Sequence, residues 1–334
     1  TLVYDLQIDA SAAGNVYLLW RDTGSVYLAR SPDWGATFTW SNITQGAYVS
    51  DTARFCLDGP LILVQFGGNG VLFESSGDGG VTWSKLTEIT GSPAGANSPD
   101  LACDGLGSAT SFWRAYDYNL HAYFVRSRHF DGSNWSAVAT TPAPSGGYPL
   151  VFRPRYATPS TVVLAYDNRD FTPSAGWEDR EGLYVSRSTD GGVTFAGSTR
   201  LNDASPSPHA LVYLTGAISD AAGNTWVSWL EFGAGSSSSV VARHSPDAGL
   251  TWGPVRRIDR EEPQGTRVND TYSRDGVLAS FPGTALFTWY GTRSSFLRDT
   301  LVNGWSLDDA DRDGHPAGND CDDTDPDVWS APGE

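Results

Sequence analysis

The residues of this chain best suited to chemistry by type and spacing lie near its end. From Asp309 the sequence runs Asp309-Ala310-Asp311-Arg312-Asp313-Gly314-His315, and Asp320 closes a stretch of twelve residues. Carboxylates at positions 1, 3, 5 and 12, with glycine at 6, match the D-x-D-x-D-G calcium loop, Asp replacing the usual Glu at the last place. Alternate carboxylates can turn inward on one centre, Gly314 permits the bend, and His315 would add its backbone carbonyl. Asp322, Asp323 and Asp325 follow at once and can share that ion or hold another. A hard cation with about six to eight oxygen ligands suits this set better than zinc or copper, whose soft ligands are scarce here. Calcium is therefore the expected cofactor, and no organic cofactor is expected. Elsewhere Asp100 and Glu231, beside strand-like runs, are the acid–base candidates. No Ser–His–Asp arrangement can be inferred, the five histidines follow no metal-ligand spacing, and no glycine-rich phosphate loop stands between a strand and a helix.

Charge divides the chain. The 334 residues carry a net charge of −17, which makes a partner held through phosphate neutralisation improbable, so no nucleic acid is expected. Between Leu307 and Glu334 stand nine aspartates, one glutamate and one arginine, a net −9, leaving −8 for everything before. That shift sets a boundary near Ser306, with residues 1–306 as one domain and 307–334 as an acidic, metal-binding extension. Aromatic content of 12%, with 13 tryptophans, requires a packed body, and no apolar run is long enough to span a membrane as a helix. A chain that opens on Thr1 and holds no methionine reads as a processed or excised segment, and the tail as continuing past Glu334.

The elements behind these residues show themselves as a repeat. Ser31-Pro-Asp33-Trp-Gly35-Ala-Thr37-Phe38 recurs as Ser76-Gly-Asp78-Gly-Gly80-Val-Thr82-Trp83, as Ser188-Thr-Asp190-Gly-Gly192-Val-Thr194-Phe195, and as Ser245-Pro-Asp247-Ala-Gly249-Leu-Thr251-Trp252. Before each copy come two short β-branched and aromatic runs, such as Val16–Trp20 and Val26–Ala29, bounded by turn residues. Weaker copies are Phe130-Asp-Gly-Ser-Asn-Trp135 and Asn303-Gly304-Trp305. The closing aromatics fall at 38, 83, 135, 195, 252 and 305, so the body divides into six units of about fifty residues, each with about four strands. An all-β, six-bladed propeller is the expected fold. Each octapeptide should bridge the third and fourth strands of its unit. Ser and Asp oxygens would accept backbone N–H bonds, Gly would take positive φ, and the aromatic would be buried between sheets.

These octapeptides resemble the Asp-box (BNR) repeat of sialidase-like six-bladed propellers, over residues 1 to about 306. The resemblance implies an arginine trio gripping a carboxylate, a tyrosine nucleophile with a glutamate partner, and an aspartic acid, with the arginines on innermost strands of the first, fourth and fifth blades and the tyrosine in the sixth. Here the first blade opens Tyr4-Asp-Leu-Gln-Ile8 without arginine. Phe152-Arg153-Pro154-Arg155 stands in the fourth, Tyr272-Ser-Arg274 in the sixth and Arg54-Phe-Cys56 in the second. Arg54, Arg153, Arg155, Tyr272 and Arg274 are the catalytic candidates, each also readable as a rim or salt-bridging residue. Cys56 and Cys103 precede similar turns on inner strands of adjacent units, a spacing that suits a disulfide; two buried thiols is the alternative.

The tail resembles Asp-rich metal-binding repeats of secreted bacterial proteins and, more loosely, thrombospondin type 3 repeats. With whole octapeptides beside an incomplete catalytic set, the sequence reads as a secreted or cell-surface, non-catalytic propeller. It would bind a glycan or protein, or serve as a unit in an extracellular self-assembly. The alternative is an exo-glycoside hydrolase of sialidase type.

Overall fold

A computed structural model describes residues 3–11, 13–58, 61–91, 96–141, 147–170, 182–202, 212–232, 238–258, 267–268, 277–281, 284–294 and 297–306. Among them are twenty-four strands and no helix. The first sheet runs β1 (Tyr4–Ala10), β2 (Val16–Arg21), β3 (Val26–Ser31), β4 (Thr39–Asn42), and the second β5 (Ala53–Asp58), β6 (Leu61–Gly68), β7 (Gly70–Ser76), β8 (Thr87–Glu88). The third holds β9 (Asn97–Cys103), β10 (Ala109–Asp117), β11 (Ala122–Phe130) and β12 (Ala139–Thr140). In the fourth are β13 (Gly147–Thr158), β14 (Thr161–Asp170), β15 (Gly182–Ser188) and β16 (Thr199–Arg200), and in the fifth β17 (Val212–Ser219), β18 (Thr225–Phe232), β19 (Ser238–Ser245) and β20 (Arg256–Arg257). These five sheets place their strands in chain order, the meander expected of each repeat.

The remaining strands group differently. β21 (Arg267–Val268) and β22 (Val277–Phe281) both pair with β23 (Thr284–Ser294), at Gly291–Thr292 and Thr284–Phe287 respectively, and β24 (Leu297–Ser306) pairs along β23. One sequence expectation is corrected here. Asn303-Gly304-Trp305 is not a turn but part of β24, facing Phe287, Leu286 and Ala285 in register. With neither Ser nor Asp to capture backbone N–H groups, that segment has no device to leave the ladder.

By chain contacts the molecule divides into two compact units, Thr1–Leu164 with Ser186–Ser198, and Ala165–Val185 with Thr199–Glu334. In the first unit Tyr17, Leu19, Val26 and Leu28 of the first sheet pack with Phe55, Ile62, Val64 and Phe66 of the second. Leu63, Val71 and Phe73 of the second pack with Leu101, Ala109, Trp113 and Ala115 of the third. β6 is thus apolar on both faces, which is why Leu61–Phe66 contains a run and not an alternation. Full burial of a side chain such as Phe66 contributes on the order of 2–3 kcal/mol. Trp226, Leu230, Val240, Ala242 and Ile258 gather with Ala285 and Phe287 in the second unit.

Each intact octapeptide bridges the third and fourth strands of its sheet with one geometry. The buried serine Oγ accepts the N–H of Gly35, Gly80, Gly192 or Gly249 at 2.8 Å and donates to the aspartate at 2.7–2.8 Å. Asp33, Asp78, Asp190 and Asp247 then accept the threonine N–H at 2.7–2.8 Å and its hydroxyl at 2.5–2.6 Å. Two successive left-handed residues make the bend: Trp34 and Gly35, Gly79 and Gly80, Gly191 and Gly192, Ala248 and Gly249. The sequence pattern accounts for the second of each pair only. Bonding to the Thr37 hydroxyl, then to Ser31 and the Thr37 N–H, lowers the carboxyl of Asp33 to about 2, and the same set around Asp78 lowers it further. Burial opposes ionisation of Asp190 and Asp247, but their threonine and serine partners outweigh it and both are held low.

The bend also docks on the preceding sheet. Thr110 of the third sheet donates its hydroxyl to the Gly191 carbonyl at 2.6 Å, joined there by the Tyr156 hydroxyl of the bend's own sheet at 3.0 Å, and a Cβ on Gly192 would stand 2.7 Å from Thr110.

Candidate functional site

Four first strands of the first unit, β1, β5, β9 and β13, each carry one charged side chain into a single chain of ion pairs. Arg54 reaches Asp5 through Nη1 at 3.7 Å and Asp100 through Nε at 3.6 Å. The other oxygen of Asp100 faces Arg153 Nη1 at 3.4 Å. Asp5 also pairs with Arg21 of β2. These side chains are 6–17% exposed, so the network is sheltered yet still touches solvent.

Local backbone features place it. Asp5 takes a φ of +52° where the β1–β2 register shifts between Tyr4 and Gln7, and Ser98 takes +52° where the β9–β10 register shifts between Phe112 and Arg114. A bulge re-aims the side chains that follow it, and a left-handed non-glycine residue persists only where neighbours over-determine it. For Ser98 the neighbour is Asp51, whose carboxylate accepts the Ser98 N–H while also capping Thr52 at 2.7 Å. Thr52 donates to the Pro99 carbonyl at 3.1 Å. Gly67 leaves room for this approach, since a Cβ there would stand 2.5 Å from the Asp51 Cβ. Gln7 stitches β1 to β5, donating to the Ala53 carbonyl at 2.6 Å and accepting the Phe55 N–H at 3.3 Å. Further along the same two strands, the Cys56–Cys103 disulfide joins β5 to β9 across a Cα separation of 6.1 Å.

A second arginine–polar contact borders the network. Arg114 of β10 donates through Nε to Asn97 Oδ1 at 2.7 Å and lies over the Tyr123 ring at 5.8 Å.

The structure brings Arg54 and Arg153 together on Asp100 and leaves Arg155 out, its Nη1 donating to the adjacent Pro154 carbonyl at 2.7 Å. Glu231 stands on β18 of the second unit, opposite Val212 and Ser239. Tyr272 and Arg274 lie outside the described residues, as do Asp309, Asp311, Asp313, His315, Asp320, Asp322, Asp323 and Asp325. Among the described residues, no three of His, Cys, Asp and Glu converge as metal ligands. Sequence reasoning missed Asp5, Arg21, Asn97 and Arg114. Tyr4-Asp-Leu-Gln-Ile8 is read there for the arginine it lacks, although it supplies a carboxylate at the corresponding place.

Chemically, two carboxylates held on one guanidinium offer two groups that can take or give a proton, with a cationic grip between them. Ion pairs of 3.4–3.7 Å are looser than close fork contacts of about 2.8 Å, so the arginines can exchange them for a ligand's oxygens.

No family model matches the chain, and no curated protein does. Solved structures do share the fold. The GH93 α-L-arabinofuranosidase of Fusarium graminearum, in complex with arabinobiose, aligns over 91% of this chain and 93% of its own at 14% identity and a TM-score of 0.56. An α-L-arabinanase of Penicillium chrysogenum aligns over the same shares at 14% identity and 0.53. A PL25 ulvan lyase bound to -[GlcA(1-4)Rha3S]- aligns over 88% of this chain and 82% of its own at 11% identity and 0.51. The chain thus shares with these structures an all-β, propeller-type fold built from four-stranded antiparallel sheets. The reading as a non-catalytic binding or assembly unit is corrected at this point. It rested on an incomplete sialidase set, whereas the structures of this fold include two hydrolases and a lyase with which that set need not be shared.

Proposed function

We propose that this protein is a glycan-degrading enzyme, a glycoside hydrolase whose carboxylate pair is Asp5 and Asp100. The observation that carries the reading is the Arg54 guanidinium, on the first strand of the second repeat, holding carboxylates from the first strands of the first and third repeats. Glycosidic cleavage needs one carboxyl group to protonate the leaving oxygen and one carboxylate to act as base or nucleophile on the other side of the sugar. Arg54 and Arg153 orient the substrate through its hydroxyl or acid oxygens once their protein contacts are exchanged. The glycosidase and lyase names among the structures of like fold support a saccharide ligand.

The finer features of this reading are a six-bladed propeller over residues 1–306, as the repeat arithmetic suggests, and work outside the cell. The extension 307–334 is ordered by calcium on Asp309, Asp311, Asp313, Asp320 and the His315 carbonyl, with Asp322, Asp323 and Asp325 beside them. The test is incubation with arabinan, aryl α-L-arabinofuranosides, ulvan and aryl sialosides, followed by assay of reducing ends and of unsaturated sugars. Release of reducing ends without unsaturation is the expected result. Release of unsaturated sugars would assign a lyase instead, and no release from any substrate would refute an enzyme of this kind.

A further inference from the structure

β10 and β11 meet in a hairpin whose tip gathers three tyrosines. Tyr116 lies across from Tyr123 in register, their centroids 4.8 Å apart, and Tyr118 stands perpendicular to Tyr116 at 4.9 Å. Tyr118 is 67% exposed. The tip is braced: Asp117 accepts the N–H groups of Asn119 and Leu120 at 2.9 and 3.1 Å and pairs with Arg126 at 3.4 Å. A perpendicular pair engages one face of one ring, so open aromatic surface is presented on a rigid support.

The tip is continuous with the charged network. Asp100 faces Phe112 in register, Tyr116 lies four residues further along β10, and Arg114 between them touches both Asn97 and Tyr123. At ~3.3 Å per residue this puts Tyr116 roughly 13 Å along the strand from Asp100. We propose that the hairpin tip is an outlying sugar subsite, taking a ring of the glycan chain whose linkage lies at Asp100. The inference rests on the glycan reading above and adds that the substrate is a chain, not a single sugar. The electron-rich face of a tyrosine suits the polarised C–H face of a saccharide ring, while Arg114 and His121, the latter 3.4 Å from the Tyr116 hydroxyl, border the tip with polar groups.

The experiment is affinity electrophoresis and calorimetry of the whole chain with soluble arabinan, ulvan and other polysaccharides. It compares wild type, Tyr118→Ala, Tyr118→Phe and, as a control for an exposed apolar residue elsewhere, Val81→Ala. For a polysaccharide that binds wild type, Tyr118→Ala is expected to weaken affinity about tenfold, while Tyr118→Phe and Val81→Ala hold it. Equal affinity of wild type and Tyr118→Ala would overturn the subsite, as would failure of every polysaccharide to bind wild type. Binding that depends on Tyr118, with no cleavage of any substrate, would uphold the subsite and remove the hydrolase reading.

Discussion

Glu74 is buried within the second sheet, opposite Val64 and on the face that packs with the first sheet. One of its oxygens accepts from Gln45 Nε2 at 2.7 Å, and the other has no hydrogen-bond partner among the described residues. Burial pushes the carboxyl from 4.5 up to about 7, with Gln45 offsetting part of the rise. A carboxyl that holds its proton more tightly when folded costs nothing below its unfolded pKa and destabilises progressively as pH rises toward the folded one. From 4.5 to about 7 the penalty grows to about 3 kcal/mol, at 1.36 kcal/mol per pH unit, and then levels off. Glu74→Gln removes the charge and keeps the shape. Urea unfolding of both proteins from pH 4 to 8 should therefore give similar stabilities at the acid end. The variant should be about 3 kcal/mol the more stable at the alkaline end. A difference that does not change with pH would refute the argument that this carboxyl is sealed away from water and poorly partnered.

Other consequences can be checked directly. Cys56 and Cys103 are 47 residues apart, so opening their bridge should lower stability by about 4 kcal/mol on the chain-entropy account, and alkylation without reduction should label neither thiol. Ser76→Ala leaves the Gly80 N–H without its partner in a half-buried bend and should cost about 1 kcal/mol in denaturant unfolding. Calcium at millimolar concentration should raise the melting temperature of the full chain and leave a chain ending at Ser306 unaffected, because an ion that binds only the folded extension stabilises by mass action. An equal response of both would place any calcium site elsewhere.

The repeat was legible because a side-chain turn writes itself into contiguous residues: Ser, Asp, Gly and Thr within eight positions make the side-chain hydrogen bonds that the four bends share. From it the third-to-fourth-strand hairpins follow, and so does the placing of Arg54 and Arg153 in the second and fourth repeats. Asn303-Gly304-Trp305 misled because a glycine and a tryptophan also fit a paired strand, and only the absent Ser and Asp distinguish the two. The site was less legible. Arg54 and Asp100 meet through the left-handed Ser98, held by Asp51 from 47 residues away, and through Gly67, whose missing Cβ admits that contact. Local propensity encodes neither. Asp5 escaped notice because its role depends on a bulge between Tyr4 and Gln7 that no alternation of residue types announces.

The most direct test of the central claim is the rate of reducing-end release by wild type and Asp100→Asn across the polysaccharide and aryl glycoside panel, with matched circular dichroism of the two proteins. Loss of a positioned acid or base should slow cleavage by about 10²–10⁴-fold with the fold intact. A wild type that cleaves none of these substrates, or an Asp100→Asn variant as fast as wild type, would contradict the account.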